Sequence, residues 1–275
     1  MPEQPPTVTV VVACYRQAAL VPGCLAGVAA QTRPADRVVL LDDASGDDSP
    51  QVLRASAREL FGADCFETGR VRLLDEGPNV GLAARLDQAL AVLRTDWFLV
   101  LAADDELVPR SLEVLTASAA AHPGCAAHFG DLEVMAADGT PAGYRRPAQT
   151  WQGAVARRYL TPALPHRDLL RWNNFVPGGM TLVSTAATRA AGGFRAAVRT
   201  TEDFDLWLRL GREHPFRYTG TTVGRYRVVP TSKSRDEPVS VLDHASVVGR
   251  AAAGGPPAAR RDAARLVALR WSLAV

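Results

Sequence analysis

Cysteine is scarce. Cys14, Cys24, Cys65 and Cys125 are scattered through 275 residues, with no CxxC pair. That excludes a local zinc motif and a disulfide framework, and it suits a reducing compartment. An excess of one charge is also missing: 31 Lys and Arg face 29 Asp and Glu, a net charge of +2. Electrostatics therefore makes no case for nucleic-acid binding. No apolar run approaches the ~20 residues that span a bilayer, and Met1 to Pro6 is polar and Pro-rich, unlike a signal peptide. A cytoplasmic protein is the expectation. No glycine-rich phosphate loop follows the first apolar run. Where a Rossmann dehydrogenase carries GxGxxG, this chain reads Cys14-Tyr-Arg-Gln. A nucleotidyltransferase, which needs a basic glycine-rich loop there, is disfavoured for the same reason. There are no internal repeats, and the five histidines, at 122, 128, 166, 214 and 244, form no ligand spacing.

What is present is alternation. Apolar residues make up 47% of the chain, enough for a sizeable core. Thr7–Ala13 is β-branched and nearly continuous, the pattern of a buried parallel strand. A helix over Ala18–Gln31 follows, then a strand at Arg37–Leu41, a helix from Ser49-Pro50 to about Phe61, and a short strand at Val71–Leu74. Leu82, Leu86, Leu90 and Leu93 stripe the next helix, and Trp97–Ala103 is the fourth strand. This spacing predicts βαβ units and a doubly wound parallel sheet.

Two of these strands end in acid pairs, Asp42-Asp43 and Asp104-Asp105. An open α/β sheet binds ligands outside the carboxyl ends of its strands. Adjacent carboxylates there repel, so they call for donors or a divalent cation carrying phosphates. After a helix at Ser111–Ala121 the alternation breaks down. A strand is expected at Ala126–Met135, a turn at Asp138-Gly139, and a long functional loop with some helix over Tyr144–Leu170. Pro177-Gly178-Gly179 precedes a strand at Met180–Ser184, and Thr201-Glu202-Asp203-Phe-Asp205 opens a helix with acids at its positive end. A late strand covers Phe216–Val223. Arg260–Val275 is amphipathic and basic, and is expected to pack on the domain, with dimerisation or peripheral membrane contact as the alternatives.

In order, the pieces Val11-Val-Ala-Cys-Tyr15-Arg, Gln31-Thr, Leu41-Asp-Asp43-Ala-Ser-Gly-Asp47, Asn79-Val-Gly81-Leu-Ala-Ala-Arg85, Leu101-Ala-Ala-Asp104-Asp105, Gly192-Gly-Phe194, Thr201-Glu-Asp203-Phe-Asp205-Leu-Trp207-Leu-Arg209 and Tyr226-Arg-Val resemble the family 2 glycosyltransferases. The resemblance runs over roughly residues 8–234. It implies an α/β chain of GT-A fold: a Rossmann-like, mainly parallel sheet flanked by helices, with an acceptor-side second half. The division it implies is a nucleotide-sugar half over 1–106, an acceptor-binding and catalytic half over 107–237, and a helical segment over 238–275. The implied activity is inverting transfer from a nucleoside-diphosphate sugar, UDP- or dTDP-sugar favoured, with Mn²⁺ or Mg²⁺. The acceptor is open: a sugar, a lipid-linked sugar, a peptide or a natural product.

The roles the resemblance implies are these. Ala13 and Tyr15 form the base-side wall. Asp43 accepts from the base imide, Asp104 faces the donor ribose or sugar, and Asp105 ligates the metal. Arg85 either reaches the diphosphate or base, or is merely solvent-exposed. Asp203 is the general base, with Glu202 and Asp205 as nearby alternatives. Trp172, Gly178, Gly179 and Glu202 fall on the acceptor side. The chain departs from the family pattern at Ala102, where many members carry a further acid, and at Val229, which replaces a histidine; Arg227, Lys233 and Arg235 are candidates to compensate. These departures support a rival reading, a degenerate non-catalytic transferase acting as a binding or scaffold subunit. Intact Asp105 and Asp203 speak for an enzyme.

Overall fold

The structure is a computed structural model, and it describes residues 5–229, 237–253 and 255–273. The expected alternation is present: β1 (Val8–Cys14), α1 (Val21–Ala29), β2 (Arg37–Asp42), α2 (Ser49–Phe61), β3 (Val71–Leu74), α3 (Leu82–Val92) and β4 (Trp97–Ala102). The four strands are parallel in the order β3-β2-β1-β4. The continuous Val-rich pattern of β1 has its reason here. Val10 and Val12 face one core with Leu25, Leu53 and Leu112, while Val11 faces the other with Leu86 and Phe98. Both faces of β1 are covered, so no polar alternation survives.

The second half extends the same sheet. It contains β5 (Glu106–Leu107), α4 (Ser111–Ala121), β6 (Ala127–Met135), β7 (Pro141–Arg146), α5 (Trp151–Ala156), a 3₁₀ turn (Arg157–Leu160), α6 (His166–Trp172), β8 (Leu182–Ser184), α7 (Thr185–Ala190), α8 (Glu202–Glu213) and β9 (Phe216–Arg227). The full order is β3-β2-β1-β4-β8-β6-β9-β5, with β7 paired to β6. Only three residues, 103–105, separate β4 from β5, yet β5 lies four places away across the sheet. A trans peptide advances at most 3.8 Å, so the sheet must curl until β9 and β5 approach the end of β4. This closure carries Arg227 to the Asp104-Asp105 turn.

Two further helices, α9 (Glu237–Ala252) and α10 (Pro257–Leu273), complete the described residues. α10 lies against α9 and α6, and its Ala263 and Leu266 are buried in the core beneath them. Packing on the domain is thus what this segment does. The structure adds two strands to the sequence reading, β7 and β5, while α9 overlaps the helical segment expected over 238–275. β7 is exposed along its whole length and shows no apolar alternation. β5 is too short to carry a pattern. α9 falls outside every motif. No helix among the described residues is long and apolar enough to cross a membrane.

Candidate functional site

The register brings Ala13 opposite Ala102 and Cys14 opposite Asp42. The acid pairs that follow β2 and β4 therefore emerge side by side at the carboxyl edge of the sheet. Asp42 is spent locally: Ser45 donates to it through its backbone N–H at 3.0 Å and through its hydroxyl. Asp43 reaches across to the next crossover. It accepts from Val80 N–H (2.9 Å), Gly81 N–H (2.8 Å) and Arg85 Nε (2.9 Å). A carboxylate has about four acceptor positions, so one remains on the Oδ2 side. Asn79 Nδ2 also donates to the Asp43 carbonyl at 2.7 Å.

Arg85 is only 4% exposed. Besides Asp43, its guanidinium donates to Glu76 O, Gln88 Oε1 and Pro78 O. This corrects the expectation that it reaches the donor or lies in solvent. Arg85 is the buried partner of Asp43, and removing one side of such a pair typically costs ~3–5 kcal/mol. In the structure Arg85 lies on the buried side of α3 with Leu86 and Ala89. Tyr15, by contrast, stands 45% exposed beyond β1, with the Arg16 guanidinium 5.2 Å from its ring centre. It offers an open aromatic face beside Ala13.

After β4 the chain turns sharply, Asp105 N–H donating to Ala102 O at 3.0 Å. Asp104 is half-buried and accepts from the Gln17 side chain, and its carboxyl is pushed above the usual range chiefly by burial. Asp105 is 5% exposed and is pushed well above that range, by burial first and by the Asp104 charge second. Arg227, from the end of β9, clamps this turn. Its N–H donates to Asp105 Oδ1 (2.9 Å), its Nε to Asp104 O (2.9 Å), and its guanidinium also holds Glu106 Oε1 (3.1 Å) and Ala137 O (3.2 Å). Sequence reasoning had listed Arg227 only as a compensating loop residue; Lys233 and Arg235 lie outside the described residues.

A buried and a half-buried carboxylate whose ionisation is disfavoured suit a cation. Among the described residues, however, no three His, Cys, Asp or Glu side chains gather around one point. Divalent Mg²⁺-like sites often use one or two carboxylates and take their other ligands from phosphates and water. The donor set here, Asp105 with Asp104 beside it, fits that kind of site and does not fit a closed protein cage.

The opposite wall is built around Asp203, in the first turn of α8, where the helix N-terminus favours a negative charge. Asn174 Nδ2 donates to Asp203 Oδ2 at 2.8 Å. Glu202 precedes it, half-buried. Asp205 is buried and ion-paired to Arg195 (3.0 Å) and Arg209 (2.8 Å), which removes it as an alternative base. Trp172 ends α6, 40% exposed, with the Arg171 guanidinium 4.9 Å from its ring centre. Asn174 lies two residues after Trp172, and nothing in its immediate neighbours signals the contact to Asp203.

The loop Pro177-Gly178-Gly179-Met180 connects the two walls. A Cβ on Gly178 would stand 2.5 Å from Asp203 Oδ2, and one on Gly179 would stand 3.9 Å from Asp105 Oδ2. Since consecutive Cα atoms are 3.8 Å apart, the two carboxylates lie within ~13 Å of each other. Met180 N–H donates to Val100 O at 2.8 Å, tying the loop to β4. Gly178 is therefore required by the approach of Asp203. Gly178→Ala should displace that carboxylate and lower turnover ~10–100-fold, the cost of an ångström-scale misplacement, while nucleotide affinity stays unchanged. Steady-state kinetics beside nucleotide titration checks this.

The family model described as "Glycosyl transferase family 2" matches residues 9–154, more than half of the chain. No curated protein matches the chain in sequence. Among solved structures, the mannosyltransferase PcManGT from Pyrobaculum calidifontis, in complex with GDP-Man and Mn²⁺, aligns with a TM-score of 0.71 at 19% identity over 95% of this chain and 70% of that one. S. aureus TarS 1–349 aligns with a TM-score of 0.65 at 13% identity over 88% of this chain, and its complex with UDP with 0.64 at 14%. The chain spans 64% of the length of TarS 1–349. At these identities the structures establish the fold alone, that of the GT-A glycosyltransferases. With the family match over residues 9–154 and this fold over nearly the whole length, the chain belongs to glycosyl transferase family 2.

Proposed function

We propose that this protein is an inverting glycosyltransferase that moves a sugar from a nucleoside-diphosphate sugar to an acceptor hydroxyl. The observation that carries this reading is the Pro177–Met180 loop, whose two adjacent glycines lie against Asp203 and Asp105 and so bring those carboxylates within ~13 Å of each other. Asp203 takes the proton of the acceptor hydroxyl as its oxygen attacks C1 from the face opposite the diphosphate. The C1–O bond to the acceptor forms, the C1–O bond to phosphate breaks, and the electron pair leaves with the nucleoside diphosphate. A divalent cation, Mn²⁺ or Mg²⁺, held by Asp105 would offset the charge that gathers on the departing diphosphate. Asp104 faces the donor ribose or sugar. Trp172, Gly178, Gly179 and Glu202 form the acceptor side, where Trp172 stacks on an apolar sugar face and the glycines admit close approach. The solved complexes of TarS with UDP and with UDP-GlcNAc, and of PcManGT with GDP-Man and Mn²⁺, support this class of donor and metal.

Asp43 supports a uracil or thymine nucleotide. Its remaining acceptor position suits an imide N–H and offers nothing to cytosine N3, which carries no hydrogen. The test is thermal denaturation with UDP, dTDP, GDP and CDP, each with Mn²⁺. UDP or dTDP at ~100 times Kd should add ~2.7 kcal/mol of stability, a rise of about 5 °C or more, while CDP adds little. Equal shifts from UDP and CDP would remove Asp43 as base reader. No shift from any of the four would favour the degenerate binding subunit instead.

A further inference from the structure

Helix α9 has no part in the reading above, yet two of its polar side chains, the half-buried Asp243 and the buried His244, converge on the two segments that present Asp203. Asn174, the partner of Asp203, follows Asn173. Asn173 ends α6 with φ 64° and ψ −173°, a left-handed conformation that side chains other than glycine seldom adopt. Such a conformation persists only where its surroundings hold it. The hold comes from α9: His244 Nε2 lies 2.9 Å from Asn173 Oδ1, and because that oxygen can only accept, the imidazole N–H donates. The same ring stacks on Phe204, the residue after Asp203, with centroids 5.4 Å apart and planes 13° from parallel.

The neighbouring residue secures the other approach. Asp243 Oδ2 accepts from Arg199 N–H (2.6 Å), Thr200 N–H (2.8 Å) and the Thr200 hydroxyl (3.2 Å). Thr200 lies just ahead of Glu202, where α8 begins. One dipeptide of α9 thus grips the segment before the base and the segment carrying its hydrogen-bond donor. At the buried position of His244, a helix that only covered a core would carry an apolar residue. We infer that His244, with Asp243 beside it, is a positioning residue that sets the Asn174–Asp203 contact and through it the rate of transfer. This rests on Asp203 being the base.

The test uses the full chain with Mn²⁺ and reads two quantities. One is nucleoside-diphosphate release from UDP-glucose, UDP-N-acetylglucosamine and GDP-mannose, with water as acceptor, giving kcat and donor KM. The other is the Asn174–Asp203 distance in crystal structures of the variants. His244→Leu should lower kcat ~10-fold, leave donor KM unchanged and break the contact. His244→Gln, which keeps a donor near the Nε2 position, should retain most of kcat and the contact. Asn173→Gly removes the same hydrogen bond from its other end while accepting the left-handed backbone, and should match His244→Leu even if that variant fails to fold. Wild-type kcat and an intact contact in Asn173→Gly or His244→Leu would overturn the inference while leaving Asp203 in place. Wild-type turnover in Asp203→Asn would overturn the assignment of the base, and with it the catalytic meaning of this clamp.

Discussion

Asp203→Asn should lower kcat by ~10³-fold while changing donor affinity less than twofold. General-base contributions run from ~10² to 10⁴, and the geometry here favours the middle of that range or above. The carboxylate is held in place by Asn174 at 2.8 Å, and its oriented neighbour Asp205 is neutralised by two arginines and cannot substitute. Asparagine keeps the shape and can still meet Asn174, so the loss isolates proton transfer from folding. A 10³-fold drop corresponds to ~4 kcal/mol of transition-state stabilisation. Nucleoside-diphosphate release and the thermal shift with UDP measure the two quantities separately. Unchanged kcat would sink the assignment. A loss of nucleotide affinity equal to the loss of rate would show that the substitution damaged binding instead.

Asp105→Asn should move activity and stability in opposite directions. Activity should fall ~10²–10³-fold and lose its response to Mn²⁺ and to EDTA, since the carboxylate proposed to hold the cation is gone, and the cation's stabilisation of the leaving group, worth several kcal/mol, would go with it. Metal-free stability at neutral pH should rise. Burial holds the native Asp105 carboxyl well above its ordinary range, so the native state binds a proton more readily than the unfolded chain. Metal-free wild type therefore gains stability as pH falls from above the native value toward the unfolded ~3.9. Asparagine removes the titrating group, and with it that slope. It keeps an Oδ1 for the Arg227 N–H, so the buried donor is not orphaned. Asp105→Ala would lose this acceptor too and confuse the two effects. Chemical denaturation at several pH values, with and without Mn²⁺, checks the prediction. A destabilised metal-free Asp105→Asn protein would mean that the carboxylate is structural.

The strands β1 to β4 and the helices between them were legible because both signals are local. β-branched runs without polar alternation read as doubly covered strands, and the Leu82, Leu86, Leu90 stripe reads as one helix face. The acids at the strand ends were legible for the same reason: a run of apolar residues stops and carboxylates begin. β5 and β7 were not legible. Two residues carry no period, and a fully exposed edge strand has no buried face to mark.

The site divides the same way. Asp43, Asp104, Asp105 and Asp203 stand at positions where a strand ends or a helix begins, so residue type and place announce them. Their partners do not. Arg227 contacts Asp105 across 122 residues of sequence, and Asn174 contacts Asp203 across 29. Arg85 looked like a cation free for phosphate until its four protein acceptors were visible. His244 matched no ligand spacing because its task is to hold Asn173.

By itself, then, the order of apolar runs, turns and acids determined the parallel half-sheet, the crevice at its carboxyl edge and the chemistry gathered there, because each depends on a few neighbouring residues. Only the tertiary structure decided which charges are spent on the protein and which remain for a ligand. That outcome depends on the curl of the sheet, which brings the end of β9 onto the turn after β4. It depends equally on the Gly178-Gly179 loop, whose missing side chains let two carboxylates distant in sequence approach the same loop.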